Sequence, residues 1–129
     1  MFEFKFDESA KILMVSVLGA WTAAEVDRYS REAAHEFAVA RKRAGFLRLL
    51  IDCSGGVIVP KELVEPLAQA GLRHRAADDR TALVVSSSLM KLQVKRMMDD
   101  APLNMFISAN AARTWLRAHD VDSGPAAAA

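Results

Sequence analysis

Short apolar runs alternate with segments of helical length through most of this chain, and that alternation restricts the fold more than any single residue does. Ile12 to Leu18, Phe46 to Ile51, Arg80 to Ser86 and Leu103 to Ile107 each read as a strand. Phe46 to Ile51 and Arg80 to Ser86 are apolar enough to be buried on both faces of a sheet. Ahead of them, Phe2, Phe4 and Phe6 alternate with Glu3 and Lys5, the period of a strand with one buried face. Asp7-Glu8-Ser9-Ala10 is a turn, so the first two strands pair as an antiparallel hairpin.

The intervening segments carry helix signals. Thr22 with Glu25 is a capping box, and Val26, Tyr29, Ala33, Phe37 and Ala40 recur at spacings of three and four. Arg41, Lys42 and Arg43 complement the dipole of the last turn, and Gly45 stops the helix. After Cys53-Ser54-Gly55-Gly56 the spacing predicts a loop or single turn over 60–64, then a helix from about Glu65 to Arg75 with Pro66 in its first turn. Ser88 caps a helix over 89–100, ended by Pro102. Ser108 caps a last helix through Arg117, whose inner stripe is Ala112, Trp115 and Leu116.

The order β-β-α-β-α-β-α-β-α is that of an α/β fold. It predicts a single mixed five-stranded sheet, an N-terminal β-hairpin followed by parallel strands joined through right-handed crossovers. A chain of 129 residues fits one domain, expected over 1–119, with 120–129 a flexible C-terminal tail that carries Ser-Gly-Pro and then only alanines. Apolar residues make up 52% and charged residues 26%, enough for a core and a solvated surface. The net charge of +1 offers no excess of cations to displace counterions from phosphates, so no nucleic-acid binding is expected. The N-terminus lacks the apolar run of a signal peptide, and no stretch nears the ~20 apolar residues of a membrane span. With Cys53 as the sole cysteine, the expected setting is a reducing cytoplasm, without membrane insertion.

Three stretches resemble the SpoIIAA-like proteins, relatives of STAS domains (sulfate transporters and anti-sigma-factor antagonists). Leu49-Leu50-Ile51-Asp52-Cys53-Ser54-Gly55 is similar to the hydrophobic-Asp-x-Ser-Gly stretch after the third strand of STAS domains. Arg80-Thr81-Ala82-Leu83-Val84-Val85 resembles an R-x-A-hydrophobic-V strand, and Phe106 with Ala112, Trp115 and Leu116 resembles the closing strand and A-x-x-W-L helix. The likeness spans residues 2–118. It implies a non-enzymatic regulatory or interaction domain that contacts a protein partner or senses a small ligand. One departure stands out. Antagonists of that kind carry a phosphorylatable serine in a D-S-S-G turn at the next helix, whereas this chain reads Val57-Ile58-Val59-Pro60-Lys61-Glu62 and has no Ser or Thr between Ser54 and Thr81. The phosphorylation switch therefore does not carry over.

The chemistry of the remaining residues is sparse. His35, His74 and His119 fall on three different elements, and no metal-ligand or phosphate-loop spacing occurs, so no metal and no cofactor is expected. Cys53, between a strand and a Gly-Gly turn, reads first as a small apolar side chain at a strand end; it is also the nucleophile candidate of an alternative reading, a small enzyme or thiol-based sensor. Asp52 and Ser54 read as a base and hydroxyl, or as groups bonding their own turn. Gly55 and Gly56 suit a turn with positive φ. Collectively, Thr22, Asp52 to Gly56, Ser86, Ser87, Ser88 and Ser108 follow strand ends that share one side of the sheet. That carboxyl edge is where open α/β folds place ligands, and helix N-termini there favour an anion. The same hydroxyls are also simple helix caps. Met90, Val94, Met97 and Ala101 mark the buried face of the third long helix; Leu92 or Met98, if exposed, would make it a dimer or partner face.

Overall fold

The computed structural model describes residues 1–72, 78–97 and 103–122. Strand β1 (Phe2–Asp7) and strand β2 (Ile12–Val17) form the expected antiparallel hairpin, in register from Phe2 opposite Val17 to Asp7 opposite Ile12. Asp7 makes the turn: its Oδ1 accepts from the Ser9 and Ala10 N–H groups at 3.1 and 3.2 Å. β3 (Gly19–Ala20) leads into helix α1 (Ala23–Ala44), which Thr22 caps by accepting the Glu25 N–H at 3.2 Å. Gly45, at φ 85°, ends it with an N–H bond to the Arg41 carbonyl at 2.7 Å. The buried stripe of α1 is Val26, Tyr29, Ala33, Phe37 and Ala40, as its spacing requires.

β4 (Arg48–Asp52), β5 (Val57–Ile58), α2 (Lys61–Leu72), β6 (Arg80–Val84), α3 (Ser88–Met97), β7 (Asn104–Phe106) and α4 (Ala109–Asp122) complete the chain. The main sheet has five strands in the order β1-β2-β4-β6-β7, all parallel after the hairpin. Helices α1 and α2 cover one face, where Leu13, Val15, Leu49, Trp21, Tyr29, Phe37 and Ala70 form the larger core. Helix α4 covers the other through Ala112 and Leu116, packed with Ile12, Leu50, Ala82 and Val84. Trp115 is half-buried there, 5.7 Å from the Phe106 ring.

Four local readings need correction. The sheet is accompanied by a second, two-stranded one, β3 beside β5, too short to show any periodicity in sequence. Helix α2 starts at Lys61 rather than Glu65, which puts Pro66 inside it. Pro66 is exposed, so water can satisfy the carbonyl that its missing N–H leaves unbonded. Ser87, not Ser88, caps α3, because its Oγ accepts the Met90 N–H at 3.1 Å and its carbonyl accepts the Lys91 N–H at 3.0 Å. Helix α4 continues through Asp122, past the expected end at Arg117. The expected positions Arg73 to Arg75, Met98 to Pro102 and 123–129 lie outside the described residues.

Candidate functional site

The carboxyl ends of β2, β4, β6 and β7 form one edge, and the predicted residues lie along it in that order. Thr22 stands at the β2 end, 52–56 at β4, 86–88 at β6 and Ser108 at β7. They do not converge: β2 and β7 are about 14 Å apart at ordinary strand spacing. Nor does the strand order reverse between β2 and β7, and such a reversal is what opens the ligand crevice of doubly wound sheets.

The β2–β4 half is closed. The Gly19 N–H donates to the Gly56 carbonyl and the Trp21 N–H to the Ile58 carbonyl, both at 2.9 Å, which ties β3 to β5 across the strand ends. Leu18 lies over Gly55, so a side chain at 55 would have to push the exposed Leu18 methyl aside. Gly56, at φ 101°, meets the expectation of positive φ. Beneath this strap Trp21 is 2% exposed, its ring 5.7 Å from Phe2 and 5.5 Å from Tyr29. Its indole N–H finds no hydrogen-bond partner among the described residues.

Cys53 belongs to this closed half. Its side chain packs against the α1-side core, and its N–H donates to the Val84 carbonyl at 2.8 Å. Burial pushes the thiol up to about 12, with the neighbouring Asp52 charge adding to the effect. A thiolate at neutral pH is therefore strongly disfavoured. Asp52 and Ser54 serve their own turn: Asp52 Oδ1 accepts the Ser54 N–H at 2.9 Å and the Ser54 hydroxyl at 2.5 Å. The Asp-Ser pair read from the sequence closes a loop.

The β6–β7 half is open. Ser86, Ser87, Ser88 and Ser108 are all exposed. Ser87 and Ser108 are occupied as caps, Ser108 Oγ accepting the Ala111 N–H at 3.2 Å, while the Ser86 hydroxyl reaches the Met90 sulfur at 3.5 Å. Apolar side chains stand out beside them, Leu89 at 66% exposed, Leu92 at 54% and Ile107 at 51%, as Ile58 at 69% and Leu18 at 40% do on the strap of the other half. Leu92 thereby meets the sequence condition for a partner face, and Met90 and Val94 are half-buried on the other side of α3.

No family model, curated protein or solved structure matches this chain. Among the described residues no group of three or more His, Cys, Asp and Glu could hold a metal ion, and no helix is long and apolar enough to cross a membrane.

Sequence reasoning missed a charged cluster at the opposite, amino edge. Asp79, 1% exposed, pairs with Arg41 of α1. Buried Arg48 stacks 4.2 Å over the Phe46 ring and donates to the Asp78 carbonyl at 2.9 Å. Asp7 accepts from Arg113 of α4 at 2.5 Å, and Arg43 pairs with Glu8. The available signal is a pair of aspartates set directly before a buried strand. The helix dipole accounts for the charge of Arg41 to Arg43 but names no partner for it.

Proposed function

We propose that this chain is a non-enzymatic regulatory or interaction domain of the SpoIIAA-like, STAS-related kind, binding a protein partner or small ligand at the β6–β7 half of its carboxyl edge. The observation that carries the reading is the exposed group Leu89, Leu92 and Ile107 beside exposed Ser86 and Ser88. Leu89 and Leu92 lie three residues apart on one face of α3, and apolar side chains that share an exposed face with polar neighbours suit a contact surface. The closed half supports the same reading from the other direction, because the one thiol is half-buried against the core and the Asp52–Ser54 pair is committed to its turn.

Two measurements test it. Backbone amide shifts, followed while a mixture of small apolar and anionic fragments is added, are expected to move at 86–92 and 107–108. Movement centred on 52–56 with none at those positions would argue against the proposed surface. A disulfide-exchange probe at neutral pH is expected to modify native Cys53 at least ~100-fold more slowly than the urea-unfolded chain. Equal rates would restore the alternative, a thiol-based enzyme or sensor.

A further inference from the structure

The free side of β1 is self-complementary, and we propose that a second copy of this chain pairs there, antiparallel, to run one continuous sheet through both molecules. This goes beyond the surface proposed above and does not depend on it, since β1 and β7 are opposite edges of the sheet.

Backbone parity comes first. Met1 and Leu18 exchange both of their backbone bonds, the Leu18 N–H to the Met1 carbonyl at 2.8 Å and the Met1 nitrogen to the Leu18 carbonyl at 2.9 Å. They are therefore a hydrogen-bonded pair of the antiparallel ladder, and such pairs recur at every second residue. With Glu3 opposite Ser16, Lys5 opposite Met14 and Asp7 opposite Ile12, the odd residues turn their amides toward β2. Phe2, Phe4 and Phe6 turn theirs outward, a row of donors and acceptors with no neighbouring strand among the described residues.

Side-chain order comes second. In a two-fold pairing centred on Phe4, each copy's Phe4 bonds the other's, and Phe2 bonds Phe6 of the second copy, so every outward amide is used. Glu3 then stands opposite Lys5 of the second copy, and Lys5 opposite its Glu3. These are non-hydrogen-bonded positions, where Cα atoms approach to about 4.5 Å and cross-strand charge pairs act most strongly. Glu3 and Lys5 are exposed and lie opposite uncharged Ser16 and Met14 within the chain. On the other face the half-buried Phe2, Phe4 and Phe6 rings would meet across the seam, the geometry of cross-strand aromatic pairs. Edge strands that avoid pairing use a proline, a bulge, a very short length, a covering element or charged side chains, lysine above all. The six residues of β1 contain no proline and hold an unbroken register with β2, and in this pairing Glu3 matches the charge of Lys5.

Sedimentation velocity across a concentration series tests the pairing on the full chain. The natural sequence is expected to show a concentration-dependent dimer. Glu3→Lys and Lys5→Glu each set like charges opposite one another twice per dimer, and each is expected to raise the dimer Kd by roughly tenfold. In an equimolar mixture, a Glu3→Lys chain carries lysine at both positions and meets a Lys5→Glu chain carrying glutamate at both. Opposite charges then face each other at each crossing, so association recovers in the mixture although each variant alone remains weak. That recovery also excludes misfolding as the cause of the loss. A natural chain that stays monomeric, single variants that dimerise unchanged, or a mixture that fails to recover would each overturn the proposal.

Discussion

The two ends of the sheet are held mainly by different chemistry. At the amino edge, ion pairs join elements distant in sequence: Arg41 of α1 to Asp79 before β6, Arg113 of α4 to Asp7 of the hairpin, and Arg43 to Glu8. At the carboxyl edge, short hydroxyl and carboxylate side chains bond backbone within three residues, as Thr22, Asp52, Ser87 and Ser108 do. Long-range charge therefore fixes how helices dock at one end, and local capping fixes where helices begin at the other. The buried charge lies away from the edge where a ligand is expected, so in this fold it marks a fastening. Caps leave an edge free to differ along its length: closed under β3 and β5, open beside Ser86 and Leu89.

If that contrast is right, the largest effect belongs to the amino edge. Asp79→Ala removes the buried carboxylate that pairs with the Arg41 guanidinium and is expected to lower unfolding free energy by about 3–5 kcal/mol in a urea titration. A loss under about 1 kcal/mol would make the pair an ordinary surface one. Next come the caps. Thr22→Ala, Ser87→Ala and Ser108→Ala should each cost about 1 kcal/mol, measured the same way. Ser88→Ala, at an exposed first helical residue that leaves the capping to Ser87, should stay within about 0.5 kcal/mol. Equal losses at Ser87 and Ser88 would return the cap to the residue expected from sequence.

The effects of pH separate the edges by sign. Hydrogen bonds from Arg113, then from the Ala10 N–H and Ser9, hold the Asp7 carboxyl well below the usual carboxylate range. A depressed acid stabilises the fold above its unfolded value near 4, and that contribution fades as pH falls below it. Asp7→Asn should flatten the acid limb of a stability–pH profile. Cys53 behaves in the opposite sense. Its thiol is raised from an ordinary value near 9 to about 12, so the unfolded chain ionises first and stability falls as pH climbs through that interval. Cys53→Ala should lessen the alkaline slope, leaving the part owed to the Tyr29 hydroxyl, which burial also raises, and should leave the acid limb unchanged.

Much of the architecture was legible in order and spacing alone. The Phe2-Phe4-Phe6 alternation defined the hairpin, and the Val26 to Ala40 stripe defined α1 down to its five buried side chains. The bland readings of Asp52 and Ser54 as turn formers and of Ser108 as a cap were also local, because each depends on atoms two or three residues away. The start of α2 was misplaced because proline's propensity penalty is a local prior, and exposure at Pro66 relieves it. The choice between Ser87 and Ser88 turned on a single residue of phase, which a run of three serines does not encode.

Periodicity thus decided which side chains face inward, since burial along a strand or helix follows directly from its repeat. Tertiary structure alone decided the rest. It brought Asp79 to Arg41 across 38 positions, laid Leu18 over Gly55 and left Leu89, Leu92 and Ile107 uncovered. Each of these depends on which elements become neighbours, and a repeat within one element holds no information about the surface that will meet it.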